Sequence, residues 1–429
     1  MSSVLFLAAG IMLILLFLKA PVYIAVLGGS MVYFILTPDI NPIMFAQRAI
    51  TGAENINLLA IPFFVCAGIL MNYTGVTKRI MQFCAVITGR MWGGLAQVNV
   101  LLSTLMGGLS GSNIADAAMQ SKMLVPEMEK KGFSKEFSSV VTATSSMITP
   151  LIPPGIAMIL YGVLAGVSIG QLFVSGIGVG ALLCASLMVL VRIMSKRRGY
   201  LPIRTGRVTP REFTGALKPA LLPLCLPIII IGGIRLGVFT ATEAGSVAVI
   251  YAVFLGIIFR ELSLKNIAQG LRETVGTTAS IMLIVAAASV FSWILTREQV
   301  PQQLTAWIVE TFPSRLAFLV AVNIFLLIVG MFIEGNASMI VLVPLLHPVA
   351  MAYGIDPIHF AMMYIFNAAV GAISPPMGVL MFVTCGITGC KTKDFIREAI
   401  PFYILLAINL ILLTFVPAFT TGLVGLVFS

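Results

Sequence analysis

The chain alternates between long apolar runs and short polar interruptions, and the interruptions recur at a fixed distance. Apolar runs long enough to cross a bilayer lie near residues 3–18, 21–37, 54–76, 170–193, 220–236, 240–259, 274–296 and 398–426. Two more apolar stretches, 93–125 and 315–350, are folded back at small polar tips, and another two, 136–166 and 358–388, are broken by Pro-Pro pairs. Segments 39–50, 77–92 and 261–273 are too short and too polar to span; they read as helices lying at the interface.

The breaks come as a repeat. Thr149-Pro-Leu-Ile-Pro-Pro-Gly155 has a second copy at Gly371-Ala-Ile-Ser-Pro-Pro-Met-Gly378, with the Pro-Pro pairs 222 positions apart (375 − 153). The same offset pairs Gly108 with Gly330, Asp116 with Ser338, Pro126 with Pro348 and Gly132 with Gly354 without a gap. Consecutive prolines lack N–H groups and clash with the preceding turn, so neither run continues as a helix. The carbonyls freed at such a break cannot be satisfied by lipid. The backbone must be buried in protein or line a polar cavity, and matched breaks in two halves point to a transporter's binding site.

Composition agrees with a polytopic membrane protein: 59% of residues are hydrophobic and 10% charged, against roughly 25% charged in soluble domains. The chain opens directly on an apolar span, so no cleavable signal is expected. The net charge of +10 does not imply nucleic acid, because its location follows topology. With the basic linker Lys196–Lys218 in the cytoplasm, only Arg48, Arg235, Arg297 and Arg315 of 26 Lys and Arg fall outside. Lys19 and the other basic residues then lie inside, and attraction to anionic phospholipid is a by-product. This count requires 93–125 and 315–350 to be re-entrant hairpins, one opening from each face. Each half then has five spanning helices, one of them Pro-broken, plus one hairpin. Five is odd, so the halves are inverted and both termini lie outside.

The expected organisation is an all-α inverted repeat. Residues 1–92 form the first scaffold and arm helices, and 93–193 the first transport half (hairpin 93–125, broken helix 136–166). After the cytoplasmic linker 194–218 come scaffold and arm helices again at 219–313, then the second transport half at 314–429 (hairpin 315–350, broken helix 358–388).

Three constellations could carry chemistry. Ser110-Gly-Ser-Asn113, with Asp116 one turn on, can cap a helix N-terminus, and that N-terminus can hold a carboxylate. Thr149–Gly155, preceded by Thr142-Ala-Thr-Ser-Ser146, offers carbonyls and hydroxyls, the hard oxygens a small alkali cation takes. The repeat predicts a partner site from Glu334-Gly-Asn336, Ser338, Asn367 and Gly371–Gly378. Asp116 and Glu334 are intramembrane carboxylates, costly in apolar surroundings and functional by default. A structural or cation-binding role is favoured over proton transfer.

Other features read plainly. The six cysteines pack in apolar runs, and Trp92, Trp293 and Trp307 anchor at interfaces. His347 and His359 read as ordinary residues of one loop, and Arg235 as snorkelling or pairing with Glu243 or Glu54. Gly386–Thr392 fails as a phosphate loop because Cys390 stands where glycine should precede lysine.

Small polar hairpin tips, each followed by a Pro-broken helix in inverted repeats, resemble the large membrane subunit of the tripartite ATP-independent periplasmic (TRAP) transporters. The resemblance spans nearly the whole chain. It rests most specifically on Gly107–Asp116 with Thr149–Gly155, on Phe332–Asn336 with Ser374–Gly378, and on the linker-like stretch Gly232–Gly245. It implies a non-enzymatic, sodium-driven carrier of organic acids, such as sialic acid or C4-dicarboxylates, in the bacterial inner membrane. Its hairpin domain would slide as an elevator. The partners implied are a small four-helix membrane subunit, absent from this chain, which is therefore expected to be an unfused large subunit, and a soluble periplasmic binding protein. Carried over, Ser110, Ser112, Asn113, Thr149 and Pro150 would form one sodium site, and Glu334, Gly335, Asn336, Gly371 and Ser374 a second. Substrate would lie near Ser112, Asp116 and Asn336, and Arg48, Arg297 and Arg315 could dock an external partner. A proton-coupled anion carrier working without a binding protein, an anion channel and an intramembrane enzyme are the competing readings.

Overall fold

The computed structural model describes residues 3–18 and 20–428, all of them in helices and their connections. Lys19 and the terminal residues, whose sidedness was expected from charge, lie outside the described residues. Among the described residues, seven helices are long and apolar enough to cross a membrane, or up to nine if each sharply bent pair is one span.

The first half begins with α1 (Ser3–Phe17), α2 (Val22–Leu36) and the amphipathic α3 (Ile43–Ala53). Next come α4 (Ala60–Asn72) and α5 (Val76–Thr88), bent by 71° about Gly75, whose φ of 66° lies in the left-handed region open to glycine. The first hairpin is α6 (Gly94–Ser110) and α7 (Asn113–Met123), continued by α8 (Val125–Lys130). The broken helix is α9 (Lys135–Ser145), a 3₁₀ turn at Ser146–Leu151 and α10 (Ile156–Ala165), bent by 45°. A 30-residue helix, α11 (Ile169–Arg198), closes the half.

The second half follows with α12 (Pro210–Arg235), α13 (Ala241–Phe259), α14 (Leu264–Arg297) and α15 (Val300–Thr311). The second hairpin is α16 (Arg315–Phe332) and α17 (Gly335–Ala352). The broken helix is α18 (Pro357–Ile373) and α19 (Val379–Thr388), followed by α20 (Thr392–Phe415) and α21 (Ala418–Phe428). Shifting α6, α7 and α9 by the sequence offset of 222 lands each within one residue of the start of α16, α17 and α18. The repeat in sequence is thus a repeat of elements.

Three expectations are corrected. Segment 261–273 is not a separate interfacial helix: it runs unbroken into the following span as α14, with no proline or loop between them. The span expected at 398–426 ends at Phe415 and restarts after Pro417, because proline cannot continue the helix. The expected span 54–76 and the segment expected at the interface, 77–92, are α4 and α5, which meet at the elbow about Gly75 and are preceded by a 3₁₀ turn at Ile56–Leu59. Neither histidine is in a loop. His347 lies within α17, which continues through Pro344 and Pro348, and His359 is a fully buried first-turn residue of α18. Its backbone N–H is capped by Asp356, and its ring contacts Thr420 Oγ1 at 2.7 Å.

Two apolar clusters organise the packing. The larger joins both hairpins and both broken helices with α4, α11 and α20. The smaller joins α1 and α2 to the far end of α14, through Tyr33, Phe34, Phe291 and Ile294. Outward-facing Ile228, Ile250, Ile257 and Val275 are each about two-thirds exposed, as lipid-facing positions are. Two ion pairs join helices far apart in sequence: Arg79–Glu261 at 2.9 Å ties the α5 elbow to the α13–α14 turn, and Arg198–Glu398 at 2.7 Å ties α11 to α20.

Candidate functional site

Both hairpin tips and both breaks open onto one cavity of about 560 Å³. The first tip contributes Gly111, Ser112 and Asn113, and the second Glu334, Gly335 and Asn336. The breaks contribute Pro150 and Ile156 on one side, and Ala372 and Val379 on the other. Four helices, α7, α10, α17 and α19, therefore begin at this cavity, and each N-terminus carries partial positive charge. Ser112 caps α7, and Glu334 caps α17 by accepting from the Ala337 N–H at 3.1 Å. Gly155 and Gly378, which precede α10 and α19, offer no side-chain cap. Their first N–H groups are left for water or a ligand. Glu334 is the sole charged side chain among the described lining residues, and it also accepts from Asn336 Nδ2 at 2.8 Å.

Asp116 is set behind this wall. It is 1% exposed and does not line the cavity. Its Oδ2 accepts from Ser103 Oγ at 2.7 Å and Thr149 Oγ1 at 3.1 Å, and Gln120 Nε2 donates to both carboxylate oxygens at 2.8 Å. This network binds the first hairpin to the first break. One helical level away, Asn99 Nδ2 donates to Thr142 Oγ1 and Asn99 Oδ1 accepts from Ser145 Oγ, both at 2.7 Å. The second half uses an amide pair instead: Asn367 Nδ2 donates to Asn323 Oδ1 at 2.8 Å, joining α18 to α16. Each half thus fastens its hairpin to its broken helix by buried polar bonds.

The remaining expected residues are distributed as follows. Pro150 lines the cavity and Thr149 lies in the Asp116 network. Gly371 packs on Gly330 backbone to backbone, and Ser374 Oγ donates to Val370 O at 2.8 Å. The Ser110 side chain lies outside the described residues. Tyr403 donates to the Ile373 carbonyl at 3.0 Å, satisfying one group that the break sets free. Arg48 and Arg297 both approach the Trp293 ring, each 5.7 Å from its centroid, whereas Arg315 is exposed at the start of α16. Arg235 forms no ion pair among the described residues, and Glu243 is committed to capping Thr240.

Sequence reading missed the wall opposite the tips, formed by Val65, Gly68 and Asn72 of α4 and by Thr277, Ser280 and Ile281 of α14. Asn72, Thr277 and Ser280 were its only signal, as polar positions within or at the end of apolar runs. Among the described residues no three of His, Cys, Asp and Glu gather as they would around a transition metal.

Residues 9–419 match the family model described as tripartite ATP-independent periplasmic transporter, DctM component. The chain is 39% identical over 407 residues to the sialic acid TRAP transporter large permease protein SiaM of Vibrio cholerae, covering 95% of each. It is 36% identical to the C4-dicarboxylate TRAP transporter large permease protein DctM of Pseudomonas aeruginosa, covering 92% of each. It is 35% identical to the 2,3-diketo-L-gulonate TRAP transporter large permease protein YiaN of Escherichia coli, covering 91% of each. Among solved structures, the YdaH transporter of Alcanivorax borkumensis aligns with a TM-score of 0.61 over 88% of each chain at 14% identity, a likeness of fold alone.

Proposed function

Because this chain belongs to the DctM family, the large permeases of TRAP transporters, we propose that it carries a small organic anion inward across the bacterial inner membrane, coupled to sodium. The observation that carries this reading is the convergence of four helix N-termini on a cavity whose described lining has no cationic side chain. A carboxylate there is met by backbone N–H groups and helix dipoles. Sodium ions, at least two per cycle, would supply the remaining positive charge, held by hydroxyls and carbonyls around Ser112, Asn113 and Pro150 and around Glu334 and Asn336. The volume suits a ligand of the size of a sugar acid or a dicarboxylate.

Hairpins and broken helices, with α11 and α20, would move together against α1–α5 and α12–α15. The ion pairs that stay within each group and the polar bonds that fasten each hairpin to its break support that division. The charge distribution supports cytoplasmic basic loops and halves of opposite orientation. The working unit would include a small four-helix membrane subunit and a soluble periplasmic binding protein that delivers the anion.

The test is uptake of labelled organic acids into proteoliposomes holding the assembled complex, with the sodium and proton gradients set independently. Uptake should follow the sodium gradient; transport unchanged in sodium-free buffer would exclude the coupling. Asn113→Ala and Asn336→Ala should each raise the sodium concentration for half-maximal uptake by about tenfold, the effect of removing one oxygen ligand or the bond that aims it.

A further inference from the structure

We infer that Tyr161 and Tyr364 are positioning residues for the second hairpin tip; the inference rests on the carrier reading in so far as that tip holds an ion. The first hairpin is fixed within its own half, through Asp116 on α7. In the repeat Ser338 stands at the place of Asp116 and cannot gather three donors. The second hairpin is held differently. Tyr364 of α18 donates to Ser338 Oγ at 3.3 Å, and Ser338 Oγ donates to the Gly335 carbonyl in the tip at 2.9 Å. Further along α17, His347 Nδ1 is 3.0 Å from the Tyr161 hydroxyl. With the ring proton on Nε2, Nδ1 accepts that bond.

Tyr161 belongs to α10, in the other half of the chain, and the first residues of α10 line the cavity. Both tyrosines are fully buried, with ring centroids 5.9 Å apart, so their hydroxyls have no water to turn to. The repeat places Val383 where Tyr161 stands and Val125 where His347 stands, so the first hairpin has no corresponding bond. The second tip is thereby referenced to both breaks at once: through Ser338 to α18, and through His347 to α10. Two hydroxyl groups outside the cavity wall set where Glu334, Gly335 and Asn336 sit within it.

The experiment uses the assembled complex in lipid nanodiscs and proteoliposomes. Tyr161→Phe and Tyr364→Phe each remove one oxygen and keep the ring. Each should raise the sodium concentration for half-maximal uptake about three- to tenfold, with the maximal rate unchanged. Each should also speed hydrogen–deuterium exchange in residues 335–352 while leaving 113–123 as in the wild type. His347→Asn, which keeps an acceptor near the Nδ1 position, should retain the wild-type sodium response; His347→Leu should lose it. Tyr161→Phe with His347→Leu should be no worse than either alone, since they share one bond. The inference is overturned by an unchanged sodium response and unchanged exchange in both phenylalanine variants, or by exchange that rises equally in the two hairpins. If wild-type uptake itself ignores sodium, the coupling reading fails, and the exchange measurement still decides the positioning.

Discussion

Asp116→Asn should give a permease that folds normally and transports roughly tenfold more slowly, the loss expected when charge-assisted bonds of about 1.5–3 kcal/mol become neutral ones of about 0.5–1.5 kcal/mol. Asparagine matches aspartate in size and keeps one oxygen for Ser103 and Thr149. Gln120 Oε1 is buried without a partner among the described residues, so the Gln120 amide can turn and accept from the new Nδ2. Packing therefore tolerates the change, and what disappears is the negative charge. Asp116→Ala separates the two effects. It strands the donors of Ser103, Thr149 and Gln120, each at a cost of roughly 1–3 kcal/mol, so the alanine variant should melt earlier as well as transport poorly. The measurements are uptake into proteoliposomes and thermal unfolding of the purified complex. Wild-type uptake by the asparagine variant would reduce Asp116 to a purely structural hydrogen-bond acceptor.

Much of this site was legible because the chemistry that builds it is local. A Pro-Pro pair breaks a helix whatever surrounds it, and a small polar tip inside an apolar stretch has few uses other than reversal. Hence residues 110–116, 149–155, 334–338 and 371–378 could be picked from the chain, and the structure brings Ser112, Asn113, Pro150, Glu334, Gly335 and Asn336 to one cavity. The repeat offset did the pairing. What was not legible depends on rotation about helix axes. Asp116 lies three residues after Asn113, yet its carboxylate turns inward to Ser103 rather than to the cavity. The opposite wall, from Asn72 to Ser280, belongs to spans with no motif, because a lipid-compatible helix can present any face to the protein interior. In sequence His347 reads as a loop residue; Pro344 and Pro348, which flank it, are residues that break a helix in water. Neighbouring helices instead keep α17 intact through both prolines, as packed membrane helices allow. The unbroken α14 is the reverse case: polar residues such as Arg272 and Glu273 suggested an end to the helix, but Tyr73 and Gln269 both donate to Glu273 at 2.8 Å and the helix continues.

Gly371→Ala should disable the second half more severely than any other single glycine substitution in the hairpin–break contact. A methyl group there would lie 2.6 Å from Gly330 Cα and 2.7 Å from its carbonyl carbon. Both obstacles are backbone, so no side chain can swing aside, and α16 must move away from α18. Such overpacking costs about 1–3 kcal/mol, which for a chain of this size corresponds to a loss of about one to three degrees in melting temperature. Displacing α16 also pulls on Asn323, whose bond to Asn367 joins the same two helices, so uptake should fall further than stability alone predicts. The reciprocal change, Gly330→Ala, places its methyl 3.0 Å from Gly371 Cα and should be milder. Gly276→Ala and Gly386→Ala meet nothing within 4 Å and should be neutral or slightly stabilising. The first half makes the same kind of approach, since a methyl on Gly107 would come within 3.1 Å of Thr149 Cα. In both halves, then, small residues let a hairpin helix lie directly on a broken one, as membrane helices pack where no hydrophobic effect drives them together. A melting series across these five variants tests the ranking, and equal melting of Gly371→Ala and Gly386→Ala would show that the close approach is not needed to hold the second hairpin on its break.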